Sequence, residues 1–179
     1  MEASTVLDFW FKDHTPKDWW SKSEIFDDKI RAEFLVAYEA GAAGEFWHWR
    51  DSPEGRLAEI ILLDQFPRNM FRESARAFEA DTMALALSQE AVRAGALDRL
   101  NDTQKPFLIL PYMHSESLIV HEESVRLFKG AGLDYNLEFE YRHKVIIERF
   151  GRYPHRNEAL NRKSTVEELA FLKEPGSSF

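Results

Sequence analysis

Apolar residues recur along most of this chain at intervals of three and four positions, the spacing by which an α-helix buries one face. The segment from Ile25 to Tyr38 follows this spacing. Ser23 is placed to cap its start, and Gly41 with Gly44 to end it. This segment is therefore predicted to form an amphipathic helix.

The segment from Leu57 to Leu63 differs, because it is apolar on almost every side. A helix with no polar face is typical of the centre of a fold. Ser52 followed by Pro53 is a common helix start, whereas Phe66-Pro67 predicts a disturbance near the helix end. We therefore expect a central helix that begins at Pro53 and is disturbed at Phe66-Pro67.

Other segments are also predicted to be helical. Their starts are placed at Ser4, at Asp81 or Thr82, at Ser115 or Ser117, at Asn136, and at a Ser-x-x-Glu capping box from Ser164 to Glu167. The only strand-like run is Phe107 to Leu110, and no alternating strand pattern occurs. The sequence thus predicts an all-α fold of about seven to nine helices, with a single domain over residues 1–173 and a fraying tail at 174–179.

Composition narrows the class of protein. The chain has 179 residues, of which 44% are hydrophobic, so it can bury a sizeable core. Its formal net charge of −8 disfavours nucleic acid and anionic membranes as partners. A homo-oligomer is compatible with exposed aromatic residues, but the sequence does not identify an interface.

The absence of cysteine excludes disulfides, zinc-thiolate sites and cysteine nucleophiles. The first residues lack the basic and apolar regions of a secretory signal, so a cytoplasmic location is expected. The chain has no Gly-x-Gly-x-x-Gly after a strand and no P-loop, and no cofactor is predicted.

One stretch reverses the acidic character of the chain. From Arg142 to Lys163 there are seven Lys or Arg against two Glu. Within it, His155, Arg156 and Asn157 follow Pro154, in a turn after a helix. Arginine binds carboxylate or phosphate through two parallel hydrogen bonds, and histidine transfers protons near neutral pH. The stretch is predicted to belong to an anion-binding or catalytic cleft; the alternative is a solvated basic surface that pairs with acidic helices.

A second polar cluster follows the apolar central helix and consists of Asp64, Gln65, Arg68, Asn69 and Arg72. Polar groups at the end of a buried helix need partners, which are either each other or a ligand. The simpler interpretation is an i,i+4 ion pair between Asp64 and Arg68.

His114 and Glu116 form a third candidate cluster with Ser115. Adjacent positions cannot align as a Ser-His-acid triad, so a serine nucleophile is not predicted. A fourth candidate is Glu140 with His143, whose spacing places both on one helix face, as in helix-bundle metal sites. Such sites need this motif twice and it occurs once, so no metal is predicted.

Our main hypothesis is that these clusters converge on one cleft for a small anionic molecule. Arg68, Arg72 and Arg156 would bind the anion, and a histidine would act as acid or base, oriented by Glu116 or Asp64. The predicted catalytic residues are His114, Glu116, His143 and His155. The predicted ligand-binding residues are Asp64, Gln65, Arg68, Asn69, Arg72, Arg156 and Asn157.

Two alternatives stay open. In the first, the protein is a helical interaction module that binds a peptide or partner through a groove lined by its Trp and Phe residues, without catalysis. In the second, the charged residues form a buried ionic network that only ties the helices together.

The order of these motifs resembles a bacterial family called domain of unknown function 924. The resemblance rests on Val6–Phe11, Leu62–Asn69, Ala77-Phe78 with Asp81, Pro111 with His114–Glu116, Phe150–Asn157, and Arg162 with Ser164-Thr165 and Glu167-Glu168. It implies a tetratricopeptide-like array of antiparallel helix pairs and no established activity. Two positions depart from the family pattern: His121 replaces a usual Gln, and Asn161 replaces a usual Gly, which suggests a left-handed backbone there.

Overall fold

The computed structural model of the protein describes residues 1–178, which contain ten α-helices and no β-strand. The helices are α1 (Ala3–Phe11), α2 (Pro16–Trp19), α3 (Glu24–Ala42), α4 (Pro53–Met70), α5 (Asp81–Arg93), α6 (Ala96–Arg99), α7 (Lys105–Met113), α8 (Leu118–Gly130), α9 (Asp134–Phe150) and α10 (Val166–Phe171). Three short 3₁₀ helices lie at Trp47–Asp51, Ala75–Phe78 and Pro154–Arg156. The all-α prediction is confirmed. The count exceeds seven to nine partly because α2 and α6 have only four residues each.

Helix α4 is the centre of the fold, as its all-round apolar sequence predicts. It packs against α1, α3, α5 and α7, and nearly all of its residues are buried. Its start is capped as predicted, because the Ser52 hydroxyl accepts a hydrogen bond from the Gly55 amide at 3.0 Å. Gly55 is required there, since a Cβ atom at this position would lie 2.0 Å from the Trp49 carbonyl oxygen.

The predicted disturbance at Phe66-Pro67 is not found, because α4 continues through Pro67 to Met70. Proline removes one backbone donor, at a cost of about 3 kcal/mol in an isolated helix. Complete burial of Leu63 and Phe66 favours the helical path here. As a result, Asp64 lies inside a buried helix and not in a loop at its end.

The strand-like run Phe107 to Leu110 is helical and belongs to α7. Every residue from Pro106 to Met113 is buried. A short apolar run does not by itself distinguish a buried strand from a buried helix. The helices packed around α7 decide in favour of the helix.

Several predicted helix starts are displaced. Ser4 lies inside α1, and Asn136 lies inside α9, which begins at Asp134. Asp81 begins α5 without capping it, because its carboxylate binds arginines instead. The capping box at the start of α10 is formed by Thr165 and Glu168, one residue after the predicted pair. The left-handed backbone at Asn161 is confirmed, with a φ of 53°.

The apolar interior has two parts. The main core involves α1 and α3 to α8, and a smaller cluster joins Ile146, Ile147, Tyr153 and Phe171. Among the tryptophans, Trp10 and Trp49 are buried, whereas Trp20 and Trp47 are exposed. Trp19 is partly buried.

The C-terminal tail follows α10. The hydroxyl of buried Ser177 donates to the Leu172 carbonyl at 3.2 Å. Phe179, the last residue of the tail 174–179 that is predicted to fray, lies outside the described residues. Among the described helices, none is both long and apolar enough to cross a membrane.

Candidate functional site

The ends of α4 and α7 bring Asp64 and His114 together. The His114 Nδ1 atom lies 2.7 Å from Oδ1 of Asp64, and the Gln65 amide donates to Oδ2 at 2.6 Å. Burial alone would raise the pKa of Asp64, but the charge of Arg68 and the contact with His114 hold it far below its usual range. Asp64 is therefore an anion that accepts the Nδ1 proton of His114.

His114 is neutral in this setting. Burial and the positive charge of Arg68 lower its pKa, against the opposing pull of Asp64. A neutral imidazole that donates from Nδ1 carries its lone pair on Nε2, the atom that can accept a proton. The orientation of a histidine by a buried carboxylate is the arrangement that general bases use.

Two arginines from distant parts of the chain share the carboxylate of Asp81. Arg68 donates to both oxygens, at 2.8 and 2.9 Å, and Arg156 donates to Oδ2 at 3.1 Å. Arg68 also donates to the Asp64 backbone carbonyl at 2.6 Å. Burial and the charge of Arg68 lower the pKa of Arg156, which Asp81 opposes. Asp81 thus neutralises the positive charge of Arg156 only in part.

Aromatic rings surround the buried guanidinium of Arg156. Its Cζ atom lies 4.6 Å from the ring centre of Phe78 and 4.7 Å from that of Tyr153. Arg156 is only 6% exposed, and its Nε atom makes no hydrogen bond within the described part of the chain. A buried donor of this kind is uncommon and is unfavourable unless something binds it.

Tyr153 connects this arginine to the neighbouring elements. Its hydroxyl donates to the Met113 carbonyl at 2.5 Å, and its backbone amide donates to Glu116 at 2.7 Å. Burial raises the pKa of the Tyr153 hydroxyl well above its ordinary value. Tyr153 therefore stays protonated and fixes the turn that carries Arg156.

Glu116 does not orient His114. It binds Arg162 through two hydrogen bonds of 2.5 and 2.8 Å, and these contacts, with the Tyr153 amide, lower its pKa against the opposing effect of burial. Arg162 also donates to Asn157 at 2.9 Å. Asn157 in turn donates to Ser164 and Glu168, at 3.1 and 3.3 Å. Through these contacts, Glu116 and Asn157 help to hold the turn that carries Arg156.

Glu140 and His143 are both buried but bind different partners. Glu140 accepts from Ser124 at 2.7 Å and lies 2.6 Å from Nδ1 of His121, whereas Nδ1 of His143 donates to the Phe139 carbonyl at 2.8 Å. Within residues 1–178, no group of three acidic or histidine side chains is arranged to hold a metal ion.

The rings of His143 and His155 both lie close to the ring of Tyr153. Their ring centres are 5.9 and 5.5 Å from that of Tyr153. Burial lowers the pKa of His143 to about 3 and, with the charge of Arg156, that of His155 to about 4. Both rings are therefore neutral at pH 7.

Asn69 and Arg72 belong to a separate network. Asn69 donates to Asp27 of α3 at 2.8 Å, and Arg72 binds both oxygens of the same carboxylate. Within the described residues, the side chains of Asn69 and Arg72 form hydrogen bonds with Asp27 and not with Asp81 or His114. The structure thus brings Asp64, Gln65, Arg68, His114 and Arg156 together and places Asn69 and Arg72 on another carboxylate.

Four residues of the polar cluster were not among the predicted site residues: Phe78, Asp81, Tyr153 and Arg162. Asp81 was expected to cap a helix, since a carboxylate at a helix start usually does so. Phe78 and Tyr153 carried no local signal beyond hydrophobicity. The family resemblance includes all four positions, and it is the one signal that could have found them.

Other concave surface lies away from this cluster. A groove of about 510 Å³ is lined by residues that include Tyr112, Glu123 and Arg126. None of the polar residues described above lines it. The groove is open, and its charged side chains pair with neighbours on their own helices.

The chain is thus an all-α protein in which arginine, histidine and carboxylate side chains meet in one polar cluster. Residues 6–176 match the family model described as bacterial protein of unknown function (DUF924), and the chain belongs to this family. The resemblance seen in the sequence is thereby confirmed. Among curated proteins, none matches this chain.

A solved structure shows the same fold. It is that of a protein of unknown function, ATU0120, from Agrobacterium tumefaciens, which is 36% identical in sequence. The match has a TM-score of 0.90 and covers 96% of each chain. The arrangement of helices is therefore shared by a relative from this bacterium.

Proposed function

We propose that the polar cluster binds a small anionic molecule through Arg68 and Arg156, and that His114 exchanges a proton with it. The observation that carries the proposal is the buried guanidinium of Arg156, which shares one carboxylate with Arg68 and keeps an unbonded Nε. Buried charge is costly unless it is paired. An anionic ligand would supply the missing partner.

The proton-exchange role rests on His114. Asp64 fixes its Nδ1 proton, so that Nε2 is the basic atom, and burial together with the charge of Arg68 keeps the ring neutral by lowering its pKa. A base that is neutral at pH 7 can accept a proton from a bound molecule or from a water beside it. Asp64 is a positioning residue in this scheme, because it acts through His114.

The cluster is partly open to solvent. The side chains of His114, Arg68 and Asp81 are 15%, 20% and 19% exposed, whereas that of Arg156 is 7% exposed. A small molecule would enter past the first three and meet Arg156 at the inner end. His155 and Glu116 are also partly exposed.

A thermal-shift screen of anionic metabolites tests the proposal. A ligand at 100 times its dissociation constant should add about 2.7 kcal/mol of apparent stability to the wild type. Arg156→Gln should abolish the shift, whereas Arg126→Gln, which changes an exposed arginine paired with Glu123, should leave it intact. A shift that survives Arg156→Gln would place the ligand elsewhere and contradict the proposal.

The scaffold alternative gives a different result. If the cluster only ties helices together, no anion raises the melting temperature and Arg156→Gln collapses the fold. His114→Gln separates binding from proton exchange, because it should keep the thermal shift and remove the proton uptake or release that accompanies binding. That proton count is measured by calorimetry in buffers of different ionisation enthalpy.

A second proposal is an interaction module that binds a protein or peptide without catalysis. It is favoured by Trp20 and Trp47, which are 60% and 67% exposed. Large exposed aromatic residues are typical of interaction surfaces. A purified partner that binds the wild type and Arg156→Gln equally, but not Trp47→Ala, would support this module over the anion site.

A further inference from the structure

The charges of the polar cluster restrict which anion it can hold. Three carboxylates, Asp64, Asp81 and Glu116, contact its histidine or arginines at 2.5–3.1 Å. Arg68 and Arg162 each bind one of these carboxylates through two hydrogen bonds. Arg156 makes a single bond of 3.1 Å, to an oxygen that Arg68 already uses. The three arginines and the three carboxylates thus balance in formal charge, and Arg156 has the weakest carboxylate contact of the three arginines.

A dianion would fit this balance poorly. A phosphate or sulfate at Arg156 would place two negative charges among three fixed carboxylates, and like charges at close range are strongly unfavourable in a buried setting. A monoanion would add half that charge, beside the arginine whose carboxylate contact is weakest. The charges of the cluster thus favour a singly charged ligand over a doubly charged one.

The surroundings of Arg156 also favour a flat ligand group. The ring centres of Phe78 and Tyr153 lie 4.6 and 4.7 Å from the guanidinium carbon, so apolar surface borders the guanidinium. The N–H groups of arginine point outward in the plane of the guanidinium. Carboxylates and phosphates both match this fork with two parallel hydrogen bonds, but a carboxylate stays in its plane, whereas a tetrahedral anion extends out of the plane toward the rings.

We infer that the anion is a monocarboxylate, bound edge-on by the guanidinium of Arg156 between Phe78 and Tyr153. The inference rests on the proposed function and names its ligand class. The rest of the ligand extends toward the exposed side of the cluster, where His114 and Arg68 lie. A hydroxyl, amine or water on that side is the group from which His114 takes a proton.

The test uses two small anions at equal ionic strength and pH 7.5: acetate, a planar monoanion, and sulfate, a tetrahedral dianion. Binding to the full chain is followed by chemical-shift titration of its backbone amides. The wild type is expected to bind acetate at least about tenfold more tightly than sulfate. Shifts should centre on the 3₁₀ helix Pro154–Arg156.

Arg156→Lys is the informative variant, because it keeps the charge and removes the planar fork. It should weaken acetate binding about tenfold or more and weaken sulfate binding by less, because acetate depends more on the plane of the fork. Arg126→Lys, the matched control, alters an exposed arginine that also binds a glutamate through two hydrogen bonds. It should bind acetate as the wild type does.

The outcomes separate this inference from the proposed function. Sulfate binding more tightly than acetate at Arg156 would keep an anion site and overturn the carboxylate assignment. Binding of neither anion would overturn both. Acetate binding that Arg156→Lys leaves unchanged would overturn the inference as well. Should Arg156→Lys fail to fold, the ratio of the acetate and sulfate affinities of the wild type decides alone.

Discussion

Nδ1 of His114 lies 2.7 Å from Oδ1 of Asp64, although the two residues are fifty positions apart in the chain. The contact joins the end of α7 to the interior of α4. Asp64 is buried in α4, and α4 packs against α7. The same contact determines which nitrogen of His114 carries the proton.

Acidification should destabilise the protein between about pH 6.5 and pH 4. Burial lowers the pKa of His143 to about 3 and of His155 to about 4, from 6.5. The unfolded chain therefore binds protons in this window that the folded chain does not, so the free energy of unfolding falls as pH falls. Urea unfolding at pH 7, 6 and 5 measures the slope.

His143→Gln identifies the source of that slope. The variant cannot titrate at position 143 and should reduce the proton uptake on unfolding near pH 5 by about one proton. The control is His48→Gln, at an exposed position of the 3₁₀ helix Trp47–Asp51, which should leave the slope unchanged. Equal slopes for all three proteins would refute a role for the buried histidine.

Asp81→Asn should destabilise the fold, because it leaves Arg68 and Arg156 facing each other without a shared anion. Loss of one partner from a fully buried ion pair costs about 3–5 kcal/mol. The Asp81 side chain is 19% exposed, so we expect a smaller loss, about 2 kcal/mol. Chemical denaturation measures it.

Asp102→Asn is the matched control for this substitution. Asp102 pairs with Lys105, and its side chain is 87% exposed. The expected change is below about 0.5 kcal/mol. If both variants unfold at the same denaturant concentration, the shared carboxylate has no structural role.

Tyr153→Phe should cost about 1–2 kcal/mol, because it removes the hydroxyl that donates to the Met113 carbonyl at 2.5 Å and leaves that buried acceptor unpaired. The ring beside Arg156 is retained. Tyr135→Phe, at a residue that is 72% exposed, serves as the control and should be neutral. A neutral Tyr153→Phe would show that the hydroxyl does not fix the turn.

His121 provides a comparison between two replacements. His121→Ala leaves the buried Glu140 carboxylate with Ser124 as a remaining partner and should cost about 3 kcal/mol or more. His121→Gln keeps an amide donor, the residue type usual in the family pattern, and should cost at least about 1 kcal/mol less. Equilibrium unfolding of both variants decides the order, and the reverse order would contradict the role given to the His121–Glu140 pair.

The sequence by itself determined the fold class and the place of the central helix. Helical spacing and the capping residues Ser23 and Ser52 are local properties, and both caps are observed. The all-round apolar segment from Leu57 to Leu63 required burial on every side, which only a central helix provides. Local rules were sufficient for these two caps, whereas the caps predicted at Asp81 and at Ser164 are displaced.

Tertiary structure alone decided the partners of the charged residues. Asp81 was placed at a helix start by its local pattern, yet it binds Arg68 and Arg156, thirteen and seventy-five positions away. Glu116 lies close to His114 along the chain, yet Glu116 binds Arg162. Coulomb attraction and the need to satisfy buried polar groups depend on distance in space. The order of residues along the chain does not contain that distance, and the packing of the helices sets it.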